Sequence, residues 1–124
     1  MVAQIRPTLS DATVDWERVC HVEEIVPGTG VSARVRGRRV AIFRVGAEVY
    51  GLDDKDPFSG AHVLSRGIVG DRRGHLKVVS PIFKQSFYLL SGECVEDPAV
   101  SVAVYPVRVR GTSVEVHLGA GGQP

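Results

Sequence analysis

Asp56-Pro57-Phe58-Ser59-Gly60-Ala61 and Ser80-Pro81-Ile82-Phe83-Lys84-Gln85-Ser86-Phe87 are the two runs on which the reading of this chain turns. Both look like strand ends closed by Pro/Gly turns, and both put aromatic side chains where a loop is ordinarily polar. Leu76-Lys77-Val78-Val79 reads as a strand feeding the second run, and Phe87-Tyr88-Leu89-Leu90 as its return. Between the runs, Leu64-Ser65-Arg66-Gly67-Ile68-Val69-Gly70-Asp71 leads into a turn at Arg72-Arg73-Gly74. Ser91-Gly92-Glu93 and Glu96-Asp97-Pro98 close the segment.

Upstream, the sequence has a period of two. Val31, Ala33 and Val35 share one face while Ser32, Arg34 and Arg36 share the other. Gly37-Arg38 is expected to turn the chain into Arg39-Val40-Ala41-Ile42-Phe43-Arg44, and Gly46-Ala47 into Glu48-Val49-Tyr50-Gly51-Leu52, a three-stranded meander. Trp16 to Cys20 alternates as a half-buried strand, and His21 to Ile25 has room for one helical turn before Pro27-Gly28-Thr29-Gly30. That Gly-x-Gly has neither a following helix nor a companion glycine, so it is a turn and not a phosphate loop. Asp53-Asp54-Lys55-Asp56 lacks the glycine and distal glutamate of a calcium loop and reads as a solvated strand end. Downstream, Val107 and Val109 alternate with arginines, Gly111-Thr112 turns, and Val114, Val116 and Leu118 alternate with Glu115 and His117.

Nothing is helical over three turns. Roughly ten short strands separated by turns predict an all-β small sandwich or partly closed barrel with an inserted loop-bearing subdomain at about residues 53–98. Residues 1–15 and 119–124 read as flexible tails around a domain spanning 16–118.

A chain of 124 residues is long enough for one domain with a sizeable core. A net charge of +1 gives no overall field for nucleic acid or a membrane surface. No segment approaches the roughly 18 apolar residues of a membrane span, and residues 1–15 lack the apolar stretch of a signal peptide. The two cysteines, Cys20 and Cys94, fit reduced thiols better than a disulfide framework. A cytoplasmic location is therefore expected. Four histidines (His21, His62, His75, His117) fall at no compact ligand spacing and read as strand-face or surface residues. Ser59, His62 and Asp71 lack the elbow and helix that would present a hydrolytic serine.

The two loops resemble those of Rieske [2Fe–2S] domains, where Cys-Pro-His-x-Gly-Ala and Cys-Pro-x-His-Gly-x-x-Phe hold a cluster on two cysteines and two histidines. The frame survives here in Pro57, Gly60, Ala61, Pro81 and Phe87. The ligands do not: Asp56 and Ser80 stand at the cysteine positions, Phe58 and Phe83 at the histidine positions, and Lys84 replaces the following glycine. Phenylalanine has no lone pair to offer iron, and no shift of register brings Cys20 or Cys94 into a ligand pattern. Phe58 and Phe83 are instead expected to pack toward each other or onto a shared apolar floor, each contributing roughly 1.5–3 kcal/mol if buried.

Within that group the chain is most similar to the small subunit of assimilatory NAD(P)H nitrite reductase, a branch that characteristically lacks the ligands. The resemblance covers about residues 16–118. It is carried by Val40-Ala41-Ile42-Phe43-Arg44, Asp56-Pro57-Phe58-Ser59, Val63 to Asp71, Gly92-Glu93-Cys94-Val95-Glu96-Asp97-Pro98 and Val104-Tyr105-Pro106-Val107-Arg108-Val109. It implies a partner large subunit carrying FAD, sirohaem and a [4Fe–4S] cluster that reduces nitrite with electrons from a nicotinamide, and a small subunit with no catalytic, cofactor-binding or metal-ligating residue. The competing reading is a cluster-free Rieske-derived interaction module for another partner. In either case the loop-bearing end is the expected docking face, with Arg66, Arg72, Arg73, Lys77 and Lys84 around it, and the Arg34/Arg36 face is the fallback.

Overall fold

The run Val40-Ala41-Ile42-Phe43 leaves no polar residue for either face of a strand, so whatever carries it must be covered on both sides. In the computed structural model, which describes residues 16–118, that strand is the pivot of the molecule. Strand β3 (Arg38–Val45) lies between β2 (Thr29–Val35) and β4 (Glu48–Asp53), and β8 (Val104–Tyr105) extends the sheet beyond β4. Val40 and Ile42 enter one core with Ile25, Val35, Val114 and Val116. Ala41 and Phe43 enter a second core with Leu52, Leu64, Val78, Phe87 and Leu89. All four residues of the run are fully buried.

The first core is closed by an antiparallel sheet of β1 (Trp16–His21), β10 (Ser113–His117) and β9 (Val107–Arg110), in the order β1-β10-β9. The second core is closed by β5 (Ile68–Arg72), β6 (His75–Val79) and β7 (Ser86–Tyr88), which lie in sequence between β4 and β8. The ten strands of the described residues thus form three open sheets, none of which closes into a barrel. No helix among them is long and apolar enough to cross a membrane. The expected tails, 1–15 and 119–124, lie outside the described residues.

Two local differences from the sequence reading have simple causes. The β2–β3 turn is Arg36-Gly37, one residue earlier than expected, because Val35 pairs with Arg38. A two-residue hairpin of this kind needs left-handed backbone at both positions, and Arg36 (φ 50°) takes it beside Gly37 (φ 83°). The connection after the first loop folds into a 3-10 turn, Leu64–Arg66, with Leu64 and Ser65 buried. A β-carbon at Gly67 would collide with the Val79 carbonyl oxygen, so only glycine lets this turn lie against the end of β6.

Candidate functional site: two loops without ligands

The loops close as their turn residues dictate. In the first, Asp56 N–H donates to the Ala61 carbonyl (2.9 Å) and Gly60 N–H to the Asp56 carbonyl (2.7 Å); in the second, Ser80 N–H donates to the Gln85 carbonyl (2.8 Å). Each starts on a polar residue followed by proline, and each polar side chain captures the backbone two residues on. Phe58 N–H donates to Asp56 Oδ1 (2.8 Å) and Ile82 N–H to Ser80 Oγ (3.3 Å).

The two loops are then tied to each other: Ser80 Oγ donates to Asp56 Oδ2 at 2.5 Å, with both residues fully buried. The side chains at the two cysteine positions therefore meet directly. A hydrogen bond to a buried carboxylate is shorter and stronger than a neutral one, and leaving either partner unpaired would be expensive.

The acidic run before the first loop is not the solvated strand end expected from sequence. Asp54 and Asp56 are fully buried, while Lys55 between them is exposed. Asp54 accepts from Ser65 N–H (2.7 Å) and Ser32 Oγ (2.9 Å), which pins the 3-10 turn to β2. Alternation explains the pattern: a strand end that buries every second residue buries both carboxylates, and the inward-pointing N–H and hydroxyl donors compensate them. The Asp-Pro and Ser-Pro dipeptides were the sequence signal for the turns, but their partners become visible only once the loops are side by side.

The aromatic residues separate. Phe58 is half-buried and packs on Phe87, with ring centroids 6.2 Å apart, at the edge of the second core. Phe83 is 57% exposed, so the expected Phe58–Phe83 packing does not form. The floor under Phe58 is already supplied by Phe87, and the turn at Pro81-Ile82-Phe83 points outward. Lys84 is exposed and holds φ 69°, the backbone conformation for which the loop pattern uses glycine. Beside the loop end, Ile68 (73% exposed) opens β5 opposite Val79, the residue before Ser80.

Four of the five basic residues expected around a docking face fall into two groups. Arg66, on the 3-10 turn two residues before Ile68, and Lys84 are both exposed at the loop end. Arg72 and Arg73 are exposed at the β5–β6 hairpin tip, where Arg72 pairs with His75. The five residues of β6 separate that tip from Ser80, about 16 Å of strand. Lys77 is half-buried mid-sheet between Gly70 and Tyr88.

Among the described residues, no three His, Cys, Asp or Glu side chains gather as a metal-binding group. His21 caps the Val22–Glu24 turn, His75 lies edge-on to Tyr88 and His117 edge-on to Trp16. Burial pushes the Cys20 and Cys94 thiols above their ordinary range, the behaviour of inert cysteines. A Rieske-type [2Fe–2S] cluster takes two thiolates and two imidazoles; a carboxylate, a hydroxyl and two phenyl rings do not fit it.

The Rieske-like [2Fe–2S] domain signature matches residues 15–117. The nitrite reductase (NADH) small subunit of Salmonella typhimurium is 43% identical over 103 residues, covering 82% of this chain and 95% of its own. A solved Mycobacterium tuberculosis chain described as an NADH-dependent nitrite reductase small subunit is 47% identical with a TM-score of 0.79, covering 82% of this chain and 92% of its own. The nitrite reductase large subunit of Klebsiella oxytoca holds a stretch 39% identical to this chain, covering 82% of this chain and 11% of that longer one. This chain, which keeps the loop frame without the cluster ligands, belongs to the Rieske-like domain family, in its branch of nitrite reductase small subunits.

Proposed function

We propose that the chain is the non-catalytic small subunit of an NAD(P)H-dependent nitrite reductase in the cytoplasm, and that it acts by docking its loop end to a large subunit. In this reading the large subunit carries FAD, sirohaem and a [4Fe–4S] cluster and reduces nitrite to ammonium for nitrogen assimilation. The small subunit contributes contact and no redox centre. The observation that carries the proposal is the surface of the loop end: Ile68, Ile82 and Phe83 are exposed there, with Arg66 and Lys84 beside them. Exposed apolar side chains grouped at one end and rimmed by cations suit a protein partner with an apolar seat and carboxylates around it. The homologous stretch within the Klebsiella oxytoca large subunit supports the same partner, since a domain joined covalently in one relative has a reason to associate in another.

The test is charge reversal at Arg66 and Lys84 together with Phe83→Ala. Binding to the large subunit, measured by calorimetry, should weaken, and nitrite-dependent NAD(P)H oxidation by the complex should fall. The isolated subunit should keep its unfolding midpoint, because exposed substitutions stay within about ±0.5 kcal/mol. Undiminished binding with the fold intact would move the interface to the Arg34/Arg36 face. No binding by the parent chain would leave the module with another partner.

A further inference from the structure

A recess of about 320 Å³ opens beside the β2–β3 hairpin, at the neck of the first loop. Arg34, Arg38, Arg39 and Lys55 line it, with His62 brought against Lys55 by a β-bridge. Asp53 is the one carboxylate of the lining, and its Oδ1 already accepts from Lys55 N–H at 3.0 Å. The neighbouring carboxylate, Asp54, is buried and takes its two hydrogen bonds from Ser65 and Ser32.

The charge here is both concentrated and unbalanced. Four cations less one carboxylate make the lining +3 in a chain of net +1, so the rest of the protein sums to −2. Arg34 and Arg39 stand directly opposite each other in the β2–β3 register. Like charges in that position destabilise a strand pair. Among the described residues the ion pairs are made by Arg36, Arg44 and Arg108, so Arg34, Arg39 and Lys55 are in no ion pair with a carboxylate. Arg38 reaches only the Tyr105 hydroxyl, at 3.5 Å.

We propose that this recess is an oxyanion site for a phosphate-type dianion, free or as the phosphate group of a larger molecule. Arg34 and Arg39 share one face of the β2–β3 pair. With Lys55 in the same lining, their two guanidinium forks and one ammonium can engage three oxygens of a tetrahedral group. Arg38, next in sequence to Arg39, leaves from the opposite face toward Tyr105 and adds charge at the rim. A carboxylate offers two oxygens and a single charge, which would leave most of the donors and the Arg34–Arg39 repulsion unsatisfied. The site is separate from the Ile68–Ile82–Phe83 surface and does not depend on the identity of the docking partner.

The experiment is a titration of the 15N-labelled chain with inorganic phosphate and with glycerol phosphate, against sodium chloride at matched ionic strength. Saturable shifts at the Arg34, Arg39, Lys55 and His62 amides are expected, with a rise in unfolding temperature that chloride does not reproduce. Saturation by both ligands marks a site for free phosphate; saturation by the ester alone marks one for a phosphate group in a larger molecule. Arg39→Gln should weaken binding about tenfold. Without phosphate it should unfold no earlier than the parent, because it removes the like-charge pair. If Arg39→Gln does not fold, Lys55→Gln, at an exposed side chain, should show the same loss of affinity. Linear shifts, an equal response to chloride, or unchanged affinity in a folded variant would mean an adventitious ion only and would overturn the proposal.

Discussion

The Oγ of Ser80 donates to a carboxylate that is closed off from water, and this hydrogen bond ties the two loops together beside the Phe58–Phe87 contact. Ser80→Ala leaves Asp56 Oδ2 buried without that donor, and should destabilise the chain by about 1.5–3 kcal/mol in urea unfolding. A midpoint and slope equal to the parent's would show that the Phe58–Phe87 packing and the second core hold the loops without this bond. The two phenylalanines should behave differently from each other. Phe58→Ala removes a half-buried ring from Phe87 and should cost on the order of 2 kcal/mol. Phe83→Ala should stay within about ±0.5 kcal/mol, because most of its ring is already in water. Equal losses in the two variants would mean that Phe83 turns inward in solution.

At the scale of the element, the segment after β7 is fastened by its own acid. Glu96 Oε1 accepts from Ser86 N–H at 2.8 Å and faces Cys94 Sγ at 3.6 Å. Burial by itself pushes this carboxyl up. The hydrogen bonds from Ser86 N–H, from its own N–H, and from the Ser86 and Cys94 side chains outweigh burial and hold it below its ordinary 4.5. A carboxyl lowered in the folded state stabilises the fold above its unfolded value, and that contribution is lost as pH falls through the folded one. Glu96→Gln should therefore unfold earlier than the parent near pH 7, and the gap should close as pH drops below about 4.5. The gap will be small, since Glu96 is exposed and solvent screens it. A gap that persists at low pH would assign the effect to packing.

For the whole molecule, the donor chemistry sets the expectation. With Asp, Phe, Ser and Phe at the four ligand positions, anaerobic reconstitution with iron and sulfide should leave the chain colourless and without bound iron. Stoichiometric iron with visible charge-transfer absorption would refute that. The two cores lie back to back on β3, and the second core reaches Phe58 and Phe87 at the loops directly.

Much of this was legible along the chain. The missing donors are a matter of residue type, and the turns follow from Pro, Gly and the polar residue before each proline, all within a few positions. The period of two fixed which faces of β2 and β10 are apolar. What the sequence could not show was set by contacts between distant residues. Asp54 and Asp56 look solvated until Ser32 and Ser80, 22 and 24 residues away, supply donors in the interior. Phe83 is displaced outward because Phe87 already lies under Phe58. Arg72 and Arg73 are parted from Arg66 because an antiparallel hairpin carries its tip to the opposite end of the sheet. Arg34 and Arg39 face each other only through register. Local chemistry depends on neighbours in the chain; burial and charge balance depend on which strands pair, and only the folded molecule decides that.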